Sequence, residues 1–386
     1  MRTLGICLGA TTLQYVQLFS DPPVVSVEKR GSVRHEGDPK GQLLALLDQL
    51  RTFDIDRVAV TGRAFRSHTN LTAIAEPEAV EYALRAEQSA GGFPDLVISA
   101  GGETQLVYQI GSQGEILRVF SGSKCASGTG EFFLQQVRRM GLSVEEAVGL
   151  AQEGTPYRIA GRCSVFCKSD CTHALNKGAP KADIAAGLCA MMADKIADLV
   201  KDVAGGEALL VGGGASNSAL VAMLGKRLGR VRVCEYSTVF EAYGTALWAL
   251  GHECVPVPPQ LQNVLRTGGR SYDTHPPLAE SVGLVDFRAS DRKQPRADAQ
   301  YLLGLDVGST TTKAVLLGVD DVCIAASCYL RTSGDPLTAS RQCYRSLLQQ
   351  ARGVPLNIIG MGVTGSGRQI AGLHALTDNV INEIVA

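Results

Sequence analysis

The stretch Leu302-Leu-Gly-Leu-Asp-Val-Gly-Ser-Thr-Thr-Thr-Lys-Ala-Val-Leu-Leu317 decides the fold. It predicts an apolar strand, a tight turn of Gly, Ser and Thr, and a second strand. Residues 3–19 repeat this pattern, and the two stretches align by the pairs Cys7 with Asp306, Gly9 with Gly308, Thr11 with Thr310, and Gln14 with Lys313. The chain therefore contains the same β-hairpin start twice, which is unlike the start of a Rossmann unit.

The repeat continues beyond the hairpins. Val60-Thr-Gly-Arg63 matches Val363-Thr-Gly-Ser-Gly-Arg368, each after a predicted helix at 42–51 or 338–351. Further on, Glu76 corresponds to Glu383. Matching motifs in matching order predict a duplicated domain. We expect a complete copy at 1–252, a Pro-rich linker at 253–299, and the N-terminal part of a second copy at 300–386, with the natural protein continuing beyond Ala386.

Composition and charge exclude several classes of protein. The chain has 386 residues, is 45% hydrophobic and carries a net charge of −1, without a Lys/Arg run. This argues against nucleic acid or an anionic membrane as partner. No apolar run approaches the ~20 residues of a membrane-spanning helix, and Met1-Arg-Thr3 leads into a strand, not a signal peptide. We expect a cytoplasmic protein with neither nucleic-acid nor membrane partners.

Alternating strands and helices fill the first copy. Strands are predicted at 96–99, 105–110 and 208–211. Helices are predicted at 131–140, 143–152, 163–177 and 181–204. This alternation, together with the hairpin start, predicts an α/β fold with mixed sheets.

Three glycine-rich turns follow apolar strands, at 8–12, 100–104 and 212–217. Backbone N–H groups in such turns cradle anions, and three in this order indicate phosphate binding more strongly than one alone. The Gly-x-x-x-x-Gly-Lys-Ser/Thr sequence of P-loop NTPases does not occur. The candidate cofactor-binding residues are Gly9, Thr11, Thr12, Gly101, Gly102, Glu103, Gly128, Thr129, Gly130, Gly212, Gly213, Gly214 and Asn217.

Two cysteines lie just ahead of predicted helices, in Lys124-Cys125-Ala-Ser-Gly-Thr-Gly-Glu-Phe-Phe133 and in Gly161-Arg-Cys163-Ser-Val-Phe-Cys167. A thiol at the positive end of a helix dipole has a lowered pKa, which favours the thiolate. Thiolates bind soft metals and iron–sulfur clusters. Cys125 and Cys163 are therefore candidates for half of a four-thiolate site.

Two further cysteines share a helix face with Cys163, because Cys167 and Cys171 follow it at i+4 and i+8. They could contribute to a cluster or to a zinc site with His173 nearby, or they could pack in the interior. The spacing leaves both interpretations open.

Asp306-Val-Gly-Ser-Thr-Thr-Thr-Lys313 resembles the first phosphate motif of the actin-like superfamily of ATPases. Lys124-Cys-Ala-Ser-Gly-Thr-Gly130, Cys163-Ser-Val-Phe166 and Val211-Gly-Gly-Gly-Ala-Ser-Asn217 narrow the resemblance. Together they resemble the BadF/BadG/BcrA/BcrD-type ATPases, the activators of 2-hydroxyacyl-CoA dehydratases and benzoyl-CoA reductases. The resemblance covers most of 1–252 and 300–386.

The resemblance implies an actin-like (ribonuclease H-like) two-subdomain ATPase fold, duplicated, with the second copy incomplete. It implies a homodimer with one 4Fe-4S cluster shared between subunits and held by Cys125 and Cys163 of each, and ATP or ADP with Mg²⁺. Nucleotide binding and hydrolysis would change the angle between helices that point at the cluster. An electron would pass from a donor such as ferredoxin or flavodoxin to a partner enzyme of the dehydratase or reductase type. Asp306 and Lys313 would be catalytic.

The first copy departs from the family pattern. Cys7 and Gln14 replace the acidic residue and the lysine of the first motif, and Ser99-Ala-Gly-Gly-Glu103 replaces Asp-x-Gly-Gly-Gln. Without both aspartates the site lacks the oxygen ligands that hold hydrated Mg²⁺. We expect weak nucleotide binding, or binding without efficient hydrolysis, in this copy.

Two other functions fit the same fold, since a fold alone does not define an activity. One is a non-redox, kinase-like or nucleotide-sensing module without a cluster. The other is a non-catalytic assembly domain. The duplication also allows a pseudo-dimer around one cluster within a single chain.

Overall fold

The computed structural model describes residues 1–50, 55–63, 66–88, 92–122, 127–161, 163–203, 206–266, 278–286 and 292–386. The chain forms two compact units. Unit 1 comprises 1–134, 161–164 and 188–271, and unit 2 comprises 135–160, 165–187 and 272–386. The domain limits expected from the sequence (1–252, 253–299 and 300–386) remain predictions.

Unit 1 contains two mixed sheets of five strands each. The strands of the first sheet are β1 (Arg2–Leu8), β2 (Thr12–Asp21), β3 (Val24–Arg34), β4 (Arg57–Thr61) and β5 (Thr72–Ala73), in the order β3-β2-β1-β4-β5. Those of the second are β6 (Leu96–Ala100), β7 (Gln105–Ile110), β8 (Ile116–Ser121), β9 (Glu207–Val211) and β10 (Arg230–Arg232), in the order β10-β9-β6-β7-β8. In both sheets the first strand pairs antiparallel with the second and parallel with the fourth. Both sheets therefore have the same topology.

Ten α-helices lie within the described residues: α1 (Pro39–Leu50), α2 (Glu76–Ala86), α3 (Gly130–Arg139), α4 (Val144–Glu153), α5 (Ser164–Asn176), α6 (Lys181–Leu199), α7 (Ser218–Leu228), α8 (Phe240–Gly251), α9 (Pro336–Gln350) and α10 (Arg368–Ala375). The predicted helices are present, but α6 ends at Leu199 and not at 204. Tight turns replace its last residues, because the Val200 N–H donates to Ala197 O and the Val203 N–H to Val200 O. Within the described ranges, no helix is both long and apolar enough to span a membrane.

Glycines bring α2, α8 and the first sheet of unit 1 into backbone contact. A Cβ on Gly5 of β1 would lie 2.2 Å from Ala242 O of α8, and one on Gly244 of α8 would lie 1.7 Å from Ala79 O of α2. Side chains at these two positions would force the elements apart. The resulting core continues into the second sheet, with Tyr108 and Phe240 among its largest buried members.

Part of the predicted linker belongs to unit 1. Leu261 and Val264 are buried against the leucines of α1, and the Asn70 N–H donates to Val264 O at 2.7 Å. Two apolar side chains spaced three residues apart in a Pro-rich segment bury enough surface to hold this turn in place.

Unit 2 contains a third mixed sheet. Its strands are β11 (Gln300–Val307), β12 (Thr311–Gly318), β13 (Ile324–Arg331) and β14 (Asn357–Thr364), in the order β13-β12-β11-β14. Pairing and order match β3-β2-β1-β4, and α9 occupies the place of α1 in the chain. Even the register agrees, because Cys7 lies opposite Gln14 as Asp306 lies opposite Lys313. The repeat predicted from the sequence is thus present in the structure.

Candidate nucleotide and cluster site

Four glycine-rich loops of unit 1 meet near the ends of β1, β6 and β9. A Cβ on Gly102 would lie 2.7 Å from Thr11 Oγ1, so the first two turns touch. The Gly130 N–H at the start of α3 donates to Gly101 O at 3.1 Å. A Cβ on Gly214 would lie 2.6 Å from Ala100 Cβ, which places the loop after β9 against the end of β6. The structure therefore brings the predicted phosphate loops together.

The first two turns are built alike and leave backbone amides available. The Gly9 N–H donates to Thr12 O and the Gly101 N–H donates to Thr104 O, each at 3.0 Å. Within the described residues, the amides of Ala10, Thr11, Gly102 and Glu103 have no hydrogen-bond partner. Free N–H groups in adjacent turns can bind the oxygens of a phosphate chain.

Asn217, a predicted cofactor-binding residue, serves as a helix cap. Its Oδ1 accepts from the Leu220 N–H at 3.0 Å, and its Nδ2 contacts Cys189 Sγ at 3.4 Å. Burial raises the pKa of the Cys189 thiol to about 11, so this sulfur is uncharged at neutral pH. In this structure Asn217 positions the loop after β9.

Glu241 supplies a buried carboxyl group close to the positions where the family pattern has aspartates. Ser99, at the end of β6, donates from Oγ to Glu241 Oε1 at 2.8 Å, and Glu241 is 3% exposed. Burial and the nearby Glu76 carboxylate raise the pKa of Glu241 to about 7. Glu241 is not among the site residues predicted from the sequence, although a single acid inside the otherwise apolar stretch of α8 was a signal.

Arg63 and Glu76 form an ion pair beside Glu241. The Arg63 guanidinium donates two hydrogen bonds to the Glu76 carboxylate, at 2.9 and 3.0 Å. Burial, together with the charges of Glu241 and Glu76, raises the pKa of the Cys7 thiol well above its usual value. Cys7 is thus a neutral thiol and Ser99 a hydroxyl engaged with Glu241. These two positions do not fit a hydrated Mg²⁺ held by carboxylates at strand ends.

The two cysteine segments are connected in unit 1 through their neighbouring residues. Ser127 Oγ donates to Gly161 O at 3.0 Å, and Lys195 Nζ of α6 donates to Ser127 O and Ser127 Oγ at 2.5 and 2.6 Å. Cys163 is half-buried and directly precedes α5. Cys125 lies outside the described residues.

Cys167 and Cys171 are buried in unit 2 and contact each other. The thiol–thiol hydrogen bond, burial and the charge of Cys167 all raise the pKa of Cys171. In the ranges given above, no three His, Cys, Asp or Glu side chains are grouped to hold a metal ion. Cys167 is fully buried and Cys171 is 3% exposed.

Asp306 and Lys313, predicted as catalytic, lie in unit 2, whereas the four loops lie in unit 1. Lys313 Nζ donates to Asp306 Oδ2 at 2.7 Å across the β11–β12 pair. This hydrogen bond raises the pKa of Lys313. The second repeat thus keeps the charged pair that the first repeat replaces with Cys7 and Gln14.

The two mixed sheets of unit 1 each begin with a β-hairpin, and glycine-rich turns follow their central strands. This is the arrangement of the actin-like ATPase fold. A solved structure with this fold, the activator of the 2-hydroxyisocaproyl-CoA dehydratase from Clostridium difficile with bound ADPNP, is 23% identical to this chain with a TM-score of 0.58. The match covers 65% of this chain and 95% of that one. Residues 4–249 match the BadF/BadG/BcrA/BcrD ATPase family, and the chain belongs to this family.

Curated relatives are also similar to this chain, and two of them are named for their function. The (R)-2-hydroxyglutaryl-CoA dehydratase activating ATPase of Acidaminococcus fermentans is 26% identical over 257 residues, which are 64% of this chain and 96% of the relative. One of the subunits of the benzoyl-CoA reductase of Thauera aromatica is 30% identical over 141 residues, which are 34% of this chain and 50% of the relative. Across the four curated relatives found, the matched share of the relative ranges from 33% to 96%.

Proposed function

We propose that this protein is an ATP-dependent activator that passes single electrons through an iron–sulfur cluster to a partner enzyme of the acyl-CoA dehydratase or reductase type. Family membership supports the nucleotide-dependent activator role, because one relative is a dehydratase-activating ATPase. The observation that carries the redox part is the Ser127–Gly161 hydrogen bond, which joins the two cysteine segments within unit 1.

The residues around these segments fit a cluster. Ser127 and Gly161 each lie two residues from a candidate ligand, Cys125 or Cys163. The Lys195 ammonium on Ser127 and the N-terminus of α5 next to Cys163 both add positive charge, which stabilises thiolates and an anionic cluster. Cys125 and Cys163 would hold the 4Fe-4S cluster, which supplies one-electron transfer when bound.

Two thiolates per chain are half of the four that such a cluster takes, so the proposal includes a homodimer with the cluster shared between subunits. Val165 and Phe166, directly after Cys163, are 70% and 65% exposed. Large apolar side chains at the surface beside a ligand support a contact with a second protomer. The upstream donor is a small electron carrier of the ferredoxin or flavodoxin kind.

A direct link joins the nucleotide turns to the cluster segment. The N–H groups of Gly130 and Glu131 donate to Gly101 O and Gly102 O at 3.1 and 2.8 Å, so the second turn holds the first residues of α3. When phosphate oxygens bind the free amides of this turn, any shift of the turn moves the start of α3, which follows the Cys125 segment. Nucleotide state and cluster surroundings are coupled through these two hydrogen bonds.

Anaerobic purification with iron and acid-labile sulfide analysis tests the proposal. We expect about two irons per chain, as half of a shared four-iron cluster requires, and a dimer by light scattering. Cys125→Ser and Cys163→Ser should each lose the iron. Cys234→Ser, a half-buried cysteine of unit 1 outside both segments, is the matched control and should keep it.

Iron-free protein from anaerobic cells, with nucleotide binding intact, would refute the redox role. It would favour the second candidate, a non-redox actin-like nucleotide-binding kinase or regulatory module. Cys7 and Ser99 support that candidate, because they leave the first repeat without the carboxylates of a hydrolytic metal site. It predicts that Cys125→Ser and Cys163→Ser together leave all functions unchanged.

A further inference from the structure

The sheet of the second repeat is covered on one face only, within the residues that the structure describes. On β11 and β12 every second side chain is buried, in a core shared with α9. The alternate side chains point to the other face, because successive residues of a strand do so. On that face Leu302 is 43% exposed, and Gly304 is exposed as well. Val315 and Leu317 of β12 are half-buried there, so apolar side chains of a regular sheet are in contact with solvent.

These four residues, termed the open face, lie side by side. Gly304 pairs with Val315 across β11 and β12, and Leu302 pairs with Leu317. Residues that pair directly point to the same side of a sheet. A Cβ on Gly304 would meet one described atom within 4 Å, Val315 O at 4.0 Å, so the space above this glycine is open. The open face therefore has room for another backbone to approach β11 closely at Gly304.

The first repeat shows what covers the corresponding face there. In the alignment of the two repeats, the residues of the open face correspond to Thr3, Gly5, Val16 and Leu18. These four are buried, and α8 packs on them. A Cβ on Gly5 would overlap backbone atoms of Ala242 and Ala246. Thr3 Oγ1 also donates to Ala246 O at 2.9 Å. A sheet of the same topology and register thus carries a helix on this face.

Two features of α8 suit it to this position. Ala242 and Ala246 are four residues apart, so they lie on one side of the helix, and their small size lets its backbone reach Gly5. Glu241 lies near Cys7, and its charge raises the pKa of that thiol. A helix on the open face would therefore place a corresponding residue near Asp306, which replaces Cys7 in the second repeat.

Asp306 sets the charge that this corresponding residue can have. Its carboxylate accepts from Lys313 Nζ at 2.7 Å. This ion pair is neutral overall and leaves no cation for a further acid. A carboxylate in the place of Glu241 would repel that of Asp306. The open face therefore suits a helix with an uncharged residue at that place.

We propose that the open face binds one apolar helix of a partner polypeptide, which carries alanine or glycine at two positions four residues apart and an uncharged residue in the place of Glu241. The α8 helix of a second copy is not free for this role, because Ala242 and Ala246 are buried in unit 1. Burial of the apolar side chains of the open face drives the association, and Gly304 selects small residues on the helix.

Fluorescence anisotropy with a labelled peptide tests the proposal on the full chain. The peptide has the sequence of residues 237–252 with Glu241→Gln, and a hydrocarbon staple joins positions 244 and 248, because a short helix is marginally stable in water. In unit 1 these two positions contact α2, so the staple leaves the alanine side free. We expect saturable binding to the wild-type chain. Binding should weaken about tenfold or more when the peptide carries Ala246→Leu, because a large side chain prevents the close approach. A peptide that keeps Glu241 should also bind more weakly.

Gly304→Leu and Gly149→Leu are the matched variants of the chain. Gly304→Leu fills the open space above β11, so the variant should fold as the wild type does but bind the peptide about tenfold more weakly or worse. Gly149→Leu adds the same side chain at an exposed position of α4 and should bind as the wild type does. Urea unfolding verifies that both variants are folded. No binding to the wild-type chain, or equal binding to Gly304→Leu, overturns the proposal.

Light scattering distinguishes a partner helix from a second copy of this chain as the occupant. A wild-type dimer that dissociates in Gly304→Leu and does not bind the peptide would assign the open face to a second copy and overturn the proposal. The dimer proposed above around the cluster should instead respond to Cys163→Ser and not to Gly304→Leu. Iron content does not enter the peptide measurement, so its result is independent of the proposed redox function.

Discussion

Replacing Glu241 by glutamine should change how stability depends on pH. The carboxyl is 3% exposed, accepts from Ser99 Oγ, and has its pKa raised from 4.5 to about 7 by burial and by Glu76. The folded protein therefore holds this proton at pH values where the unfolded chain has released it. The stabilising contribution is complete below about pH 4.5 and is lost as the pH rises through about 7.

The size of the effect follows from the two pKa values. Linkage predicts that the wild type loses roughly 2.5 kcal/mol of unfolding free energy through this group between about pH 5 and about pH 8.5. Glu241→Gln cannot ionise and can keep a hydrogen bond with Ser99. The stability of the variant relative to the wild type should therefore increase by about that amount across the range.

Urea unfolding followed by circular dichroism measures the difference, with the single tryptophan, Trp248 of the same helix, as a second probe. The slope of the unfolding free energy against urea concentration should be the same for the wild type and the variant. Glu253→Gln, an exposed glutamate two residues beyond α8, is the matched control and should show no such pH dependence. A variant that parallels the wild type across the whole range would refute the assignment of a raised pKa to Glu241.

Three further predictions concern the packing of unit 1, and urea unfolding measures each. Gly244→Ala should lower the free energy of unfolding by about 3 kcal/mol or more, because its Cβ would lie 1.7 Å from Ala79 O. Gly251→Ala, at the open end of α8, should leave the free energy of unfolding nearly unchanged, and equal effects of the two variants would contradict the close contact. Gly102→Ala should lower the free energy of unfolding by about 1–3 kcal/mol through its clash with Thr11. Adding Thr11→Gly to this variant should restore part of the lost stability, and no restoration would contradict the contact between the two turns. Asn217→Ala should lower the free energy of unfolding by about 1 kcal/mol, because the side-chain cap of α7 is lost, while Asn217→Ser should keep most of the stability. An alanine variant as stable as the wild type would show that the cap is unimportant.

Much of the fold was predictable because local patterns of apolar, turn and capping residues determine it. Two hairpins were predicted, each from an apolar strand, a glycine turn and a second strand, at 3–19 and at 302–317. Their repetition indicated that the sheet is duplicated. Helices such as α4 and α9 carry a Ser143 or Asp335 cap that the local sequence supplies. The family was recognisable from the short motifs around Cys125, Cys163 and Asp306.

The site was only partly predictable. The glycine turns could be predicted as phosphate-binding loops from the sequence, but their mutual contacts depend on atoms more than 90 residues apart, as between Thr11 and Gly102. The partners of Glu241 and Arg139 were equally hidden, since no sequence spacing connects Glu241 with Ser99 or Arg139 with Thr172.

The sequence by itself determined the elements, the repeat and the family, because hydrophobic periodicity and turn residues act over a few positions along the chain. Only the tertiary structure decided that Cys7 and Ser99 face a buried carboxyl of raised pKa, that Ser127 joins Gly161, and that Arg139 has no counter-ion among the described residues. The physical reason is that desolvation and charge pairing depend on which distant groups share a low-dielectric site, and the order of residues does not specify this.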